Sequence, residues 1–223
     1  MNQYEEKEPV FFGKITAGIT HEIKNVLAII QQSSGLIEDI MSISPEAPIL
    51  HQDKIQASFS RIKDQIKRGT ELTGRLNKFA HGTHKSIAKI DLYEITEQLV
   101  FLSMRFAKNK KVVLKIHPPD QTISIVTYQV QLQKALFKCI ECCLDLMTQG
   151  GQINIYPQKD DEKLKVYFLC EGDSPFETSF ANNISVSEKW PVLQEIATSL
   201  GGLVKTDEST SGILLILPSA LKE

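Results

Sequence analysis

Long apolar runs, a strong charge of one sign and paired cysteine motifs are all missing from this 223-residue sequence. No stretch approaches the ~20 apolar residues of a membrane-spanning helix, so no membrane span is expected. The formal net charge of -2 argues against a nucleic-acid partner, because such proteins usually carry a strong basic excess. The 42% of hydrophobic and 23% of charged residues are typical of a globular protein, and the length suffices for two modest domains.

The cysteines do not form a recognisable metal-binding pattern. Cys139, Cys142, Cys143 and Cys170 lack paired C-x-x-C motifs and nearby histidine ligands, so no metal site is expected. Reduced thiols are the simpler interpretation, and they predict a cytoplasmic location. The adjacent Cys142 and Cys143 are expected to pack as small buried apolar side chains.

Two long amphipathic helices are predicted in residues 1–84. Apolar residues recur at three- and four-residue steps from Phe12 to Met41 and again from Ile55 to Phe79. The proline-containing segment 44–48 separates the two patterns, and such a short connection makes an antiparallel hairpin. One hairpin cannot cover its own apolar stripes. We therefore expect a homodimer in which two hairpins form a four-helix bundle.

Residues 85–223 predict a second domain of mixed structure. Asp91 can cap a helix through about Ala107. Strands that pack with helices on one face make an α/β sandwich, so the whole chain is assigned to the α+β class. Further helices are predicted at about 129–147 and 190–200, and strands at 112–116, 152–156, 165–169, 203–205 and 213–217.

His21 is the candidate catalytic residue. It lies in the first predicted helix, directly before Glu22 and one turn before Asn25. An imidazole on the wet side of a helix can act as a nucleophile. The Glu22 carboxylate could hydrogen-bond the ring or accept its proton, and Asn25 lies on the same helix face.

The order and spacing of several short motifs resemble those of a bacterial sensor histidine kinase core. The resemblance implies a dimerisation and phosphoacceptor domain followed by an ATPase-type domain. It implies that His21 accepts a phosphoryl group, and that Asn25 orients water for dephosphorylation of a receiver domain. The similar segments are 18–25 (phosphoacceptor box), 62–76 (second bundle helix), 131–136 (the run into the nucleotide-binding helix), and 199–202 with 211–218 (end of the ATPase domain).

The magnesium ligand of that family has no counterpart in this sequence. The family uses an asparagine on its nucleotide-binding helix, and the corresponding positions are Lys138 and Cys142. No asparagine occurs between Asn109 and Asn154. An amide oxygen is a hard ligand that suits magnesium, whereas a thiol is soft.

The adenine and phosphate elements of that family are also altered. Cys170 stands where the resemblance places an adenine-binding aspartate, and it is followed by Gly172 and Asp173. Asp173 is a conceivable displaced substitute. No glycine occurs between Gly172 and Gly201, where the family has a glycine-rich phosphate cradle. Aromatic side chains, among them Phe137, Phe168 and Phe176, could fill the place of the nucleotide.

The resemblance therefore implies a phosphotransferase that works without ATP or another cofactor of its own. His21 would exchange phosphoryl groups with receiver-domain aspartates, and the receiver would supply the magnesium ion. Two alternatives remain, an active kinase with an atypical ATP site and a non-catalytic scaffold that docks receivers. The basic residues Lys24, Lys63, Lys67 and Arg68 either form solvated helix faces or meet an acidic receiver surface.

Overall fold

The computed structural model describes residues 8–43, 51–81, 87–147, 150–161, 163–172, 180–207 and 211–221. The chain divides into two compact units. One unit is Thr16–Lys78, and the other combines Met1–Ile15 with Phe79–Glu223. The boundary predicted between residues 84 and 85 lies outside the described residues.

A helical hairpin forms the first unit, as predicted. Helix α1 spans Glu8–Ile43 and helix α2 spans Gln52–His81. They run antiparallel, since Phe11 near the start of α1 lies beside Phe79 near the end of α2, and Glu22 further along α1 pairs with the earlier residue Arg68. Buried residues of α1 recur at heptad spacing, because a seven-residue step returns to the same helix face. They include Ile19, Val26, Ser33 and Ile40.

A five-stranded mixed sheet is the base of the second unit. Strand β2 pairs in parallel with β4, and the other neighbours are antiparallel in the order β2-β4-β5-β7-β6. Side chains alternate along β5, so that Val166 and Phe168 are buried while Lys165 and Tyr167 are partly exposed. The strands are β2 (Val113–Ile116), β4 (Gln152–Asp160), β5 (Lys163–Glu171), β6 (Leu203–Asp207) and β7 (Gly212–Pro218).

Three longer helices pack on the buried face of this sheet. They are α3 (Leu92–Asn109), α4 (Gln129–Leu146) and α6 (Lys189–Ser199). Helix α4 lies between α3 and α6, so every residue from Leu132 to Ile140 is buried. The predicted α+β class, a helical hairpin followed by an α/β sandwich, is therefore confirmed.

Three short elements were not predicted from the sequence. Strand β1 (Ile87–Asp91) and strand β3 (Ser124–Tyr128) pair only with each other among the named strands of the described residues. Each has five residues and several polar ones, so no apolar pattern marks it. Helix α5 (Phe180–Ser185) has six residues, fewer than two turns, which is too short for a helical periodicity to appear.

Aromatic rings make the outer ends of α1 and α2 part of the second unit. Phe11 lies 5.5 Å from Phe137 of α4 and 5.6 Å from Phe79 of α2, measured between ring centroids. Phe106 of α3 contacts Phe137 from another side, at 5.7 Å. Such tilted and edge-on pairs stabilise beyond their buried area. Phe137 and Phe168 are therefore core residues, and Phe176 lies outside the described residues.

No helix in the described part of the chain combines the length and apolar character that a membrane crossing requires.

The cap of α3 yields a test of the fold. The Asp91 carboxylate accepts hydrogen bonds from the backbone N–H groups of Tyr93 (2.8 Å) and Glu94 (3.1 Å). We expect Asp91→Ala to lower the free energy of unfolding by about 1 kcal/mol, because two N–H groups of the first turn lose their acceptor. Urea denaturation measures this change. Asp91→Asn is the matched control, since it retains a capping oxygen, and equal midpoints for wild type and Asp91→Ala would contradict the prediction.

Candidate functional site

His21 lies on the exposed side of α1, within the hairpin unit. Asn25 follows one turn later, and its amide Nδ2 donates a hydrogen bond to Nδ1 of His21 at 3.2 Å. An amide nitrogen can only donate, so Nδ1 acts as the acceptor in this arrangement. The other ring nitrogen, Nε2, has no hydrogen-bond partner among the described residues. The hydrogen bond from Asn25 thus fixes the imidazole at Nδ1, and Nε2 remains accessible to another molecule.

Glu22 is connected to His21 through Asn25. Its Oε1 accepts a second hydrogen bond from the Asn25 amide at 3.4 Å, and its Oε2 accepts one from Nη2 of Arg68 at 2.5 Å. The structure shows no direct bond between Glu22 and His21 in the described residues. The carboxylate therefore orients the amide that touches the ring, and the direct contact suggested by the sequence is absent here.

Arg68 is a further member of this site, whereas the sequence indicated only that it forms a solvated helix face or meets an acidic receiver surface. It lies 46 residues from Glu22 along the chain, so no local spacing links the two. The neighbouring Gly69 explains how they meet. A Cβ atom on Gly69 would lie only 3.3 Å from Cγ1 of Val26, so the two helices approach closely here. Only the hairpin topology could have indicated this pair.

Together these residues form a continuous polar chain on one surface of the hairpin. It runs from Arg68 through Glu22 and Asn25 to His21, and it combines a cation, an anion, an amide and a potential nucleophile. The Glu22 side chain is only 12% exposed, whereas Arg68 is 48% exposed. Such a surface site can exchange a group with a partner protein that brings its own reactive centre.

The second unit contains the positions that the resemblance assigns to nucleotide binding. Lys138 is buried on α4, and its ammonium group donates to Oε2 of Glu141 at 2.7 Å. Lys14 donates to Oε1 of the same carboxylate at 3.1 Å, and Lys189 lies 3.9 Å from it. Both carboxylate oxygens are therefore engaged by ammonium groups, and a cation there would be repelled.

Cys142 and Cys170 are equally unsuited to the roles of magnesium and adenine ligands. Burial raises the pKa of the Cys142 thiol to about 12, so the group is neutral near pH 7. Burial also raises the pKa of Cys143, and a hydrogen bond with Cys170 adds to that effect. Cys170 thus belongs to a buried pair of thiols. The expectation that Cys142 and Cys143 are buried is confirmed.

A magnesium nucleotide does not fit the described residues at these positions. Magnesium prefers hard oxygen ligands, and the side chains here include the ion-paired ammonium of Lys138 and the neutral thiol of Cys142. Gly172 lies exposed after β5. Asp173, the conceivable substitute for the adenine ligand, lies outside the described residues.

Comparisons with known proteins give likeness to solved structures only. No protein-family model and no curated protein matches the sequence. The catalytic domain of the histidine kinase ThkA is 14% identical, with a TM-score of 0.48, and covers 61% of this chain and 99% of its own. The Acinetobacter baumannii histidine kinase AdeS is 13% identical, with a TM-score of 0.46, and covers 88% of this chain and 95% of its own.

A third similar structure is that of a protein described as a bacterial phosphotransferase. It is 12% identical, with a TM-score of 0.46, and covers 96% of this chain and 99% of its own. At such identities and TM-scores, the similarity does not support an assignment of function. The proposals below therefore depend on the residues of this chain.

The raised pKa of Cys142 predicts a loss of stability in alkali. The unfolded thiol ionises near pH 9 and the folded one near pH 12, so the stabilisation is complete below pH 9 and declines as pH rises toward 12. The decline is about 1.4 kcal/mol per pH unit for one thiol. We expect Cys142→Ala to show a shallower decline in the free energy of unfolding between pH 9 and 11, as measured by urea denaturation. Equal slopes for the two proteins would show that Cys142 ionises normally.

Proposed function

We propose that this protein is a histidine phosphotransferase that exchanges phosphoryl groups between His21 and receiver-domain aspartates without binding ATP. The observation that carries the proposal is the exposed imidazole of His21, held by Asn25 at 3.2 Å and open at Nε2. The ion-paired Lys138 and the neutral Cys142, at the positions of the resembling family's magnesium site, support the part that concerns ATP.

The reaction needs little from this chain beyond a positioned nucleophile. The lone pair of a ring nitrogen of His21 attacks the phosphorus of an aspartyl phosphate, a nitrogen–phosphorus bond forms, and the proton that the neutral ring carries passes to solvent. The phosphorus–oxygen bond breaks, and its electron pair stays on the aspartate carboxylate of the receiver. The same step in reverse delivers the group to another receiver. Positioning and charge stabilisation suffice for such transfers, and the receiver brings the magnesium ion.

Asn25 supports a second activity of the same site. By the resemblance, an amide at this position orients water for hydrolysis of the receiver phosphate. The Asn25 amide is exposed and lies beside the ring of His21, so it can face a docked receiver. The Nδ2 group already donates to His21 and Glu22. The carbonyl oxygen of the amide is therefore the atom that would accept a hydrogen bond from the water molecule.

The exposed apolar side chains of the hairpin support a homodimer. Phe59 and Ile66 of α2 are 56% and 55% exposed, and their seven-residue spacing places them on one face. On α1, Leu27 is 59% exposed. A row of large apolar residues exposed to water is unfavourable. A second copy of the same chain, related by a two-fold axis, covers the row with its own apolar residues. This arrangement is the four-helix bundle expected from the sequence.

The function is tested by labelling with a phosphorylated receiver. Receiver domains are labelled with radioactive acetyl phosphate and then mixed with wild type, His21→Ala or the control His81→Ala. We expect alkali-stable label on wild type and His81→Ala and none on His21→Ala, because only His21 offers the held nucleophile. Radioactive ATP with magnesium forms a parallel arm in which no label is expected.

The outcomes separate the proposal from its alternatives. Equal uptake by wild type and His21→Ala would overturn it. Labelling of His21 from ATP would instead indicate an active kinase with an atypical nucleotide site. Receiver binding that persists in His21→Ala, with no phosphohistidine in any arm, would indicate a docking scaffold.

The dimer is tested by sedimentation equilibrium at micromolar concentration. We expect wild type to be dimeric, and Ile66→Asp to raise the dissociation constant at least ~100-fold, because it would bury an unpaired charge in the interface. Ser60→Asp introduces the same charge at an exposed polar position of α2 that does not share the helix face of Ile66, and it is the matched control. A monomeric wild type would contradict the bundle.

A further inference from the structure

We propose that Arg68 binds the phosphoryl group as it passes to and from His21, and that Glu22 holds the guanidinium ready beforehand. This inference rests on the proposed function. It gives Arg68 direct contact with the transferred group, which neither the sequence pattern nor the resemblance assigns.

The first observation is that the guanidinium has donors to spare. Arg68 carries five N–H groups, and one of them is used in the 2.5 Å bond from Nη2 to Oε2 of Glu22. The side chain is 48% exposed, and the hydrogen bonds through Glu22 and Asn25 connect it to His21. A guanidinium presents its N–H groups in a fixed fork that matches the oxygens of a phosphoryl group.

The second observation concerns charge. Glu22 is joined to His21 through one amide, by contacts of 3.4 Å and 3.2 Å, so a carboxylate lies close to the nucleophile. An incoming phosphoryl group carries about two negative charges and would be repelled by that carboxylate. Arg68 cancels the charge of Glu22 in the resting site. When the phosphoryl group arrives, the same cation is already in place to attract it.

The third observation is the fixed position of the pair. Glu22 is only 12% exposed, and the close approach of Gly69 to Val26 brings α2 toward α1 at this level. The carboxylate therefore acts as an anchor for a longer and more exposed side chain. Anchoring lowers the entropy that Arg68 must lose when it binds a phosphoryl oxygen.

A small phosphodonor tests Arg68 without a receiver. With potassium phosphoramidate, a ring nitrogen of His21 forms a bond to phosphorus while the nitrogen–phosphorus bond of phosphoramidate breaks. The leaving nitrogen takes a proton from solvent and departs as ammonia. Initial rates of phosphohistidine formation, measured by phosphorus NMR over a range of phosphoramidate concentrations, separate the maximal rate from the saturation constant.

A double-mutant cycle distinguishes contact with the phosphoryl group from a merely structural role. We expect Arg68→Gln to lower the maximal rate by about 10- to 100-fold and Arg68→Lys to lower it less, because lysine keeps the charge without the fork. Glu22→Gln should lower the rate less than Arg68→Gln does, because the cation stays in place and only its anchor is weakened. The loss from Arg68→Gln should persist in the Glu22→Gln background. Arg75→Gln, which removes the same charge two turns further along α2, is the control and should behave as wild type.

Three results would overturn the inference. The first is an unchanged rate in Arg68→Gln. The second is disappearance of its effect once Glu22 is neutral, which would mean that Arg68 acts only by holding that carboxylate. The third is the absence of phosphohistidine from wild type treated with phosphoramidate. Labelling by receivers in the same preparation then decides separately whether the proposed function stands.

Discussion

The close approach of α1 and α2 at Val26 and Gly69 is the constraint on which the candidate site depends. Where the helices are this near, the arginine beside the glycine can reach a carboxylate on the opposite helix. That carboxylate in turn engages Asn25, and Asn25 engages His21. A glycine that touches neither substrate nor nucleophile thus determines the surroundings of the imidazole, because a side chain in its place would press on Val26.

The two units differ in the solvent exposure of their charged side chains. On the hairpin, the polar chain remains partly in water, so its groups can respond to a partner. In the second unit, helix α4 is buried along nine consecutive residues, and two lysines lie within that stretch. Lys138 is acceptable there because Glu141 is beside it, and the Cys142 thiol is acceptable because it stays neutral.

This difference supports the proposal that His21 is phosphorylated without ATP. A nucleotide site requires an accessible groove with oxygen ligands for magnesium and backbone N–H groups for phosphates. The described residues at the corresponding positions have become part of a packed core and of an ion-pair cluster around Glu141. Burial of these side chains costs hydration, and the ion pairs with Glu141 and the neutrality of the Cys142 thiol limit that cost.

The sequence by itself determined the order of the two structural parts, a helical hairpin followed by a mixed α and β region. It also determined which residue is the candidate nucleophile. Periodicity marked both hairpin helices, since an apolar stripe along a long helix repeats many times. Capping residues and glycines indicated where most helices and strands of the second unit begin or end. Local order also placed Asn25 one turn from His21, because a helix brings residues four apart together.

Only the tertiary structure decided which distant side chains meet. The pairing of β1 with β3 depends on contacts between segments more than thirty residues apart, and each segment alone is too short and polar to be recognised. Likewise, Arg68 resembled any solvated charge until the hairpin turned it toward Glu22. The sequence pattern around Lys138 does not indicate its burial, which arises because α4 is enclosed between α3 and α6. Burial and pairing depend on the neighbours that folding supplies, and local sequence patterns do not specify those neighbours.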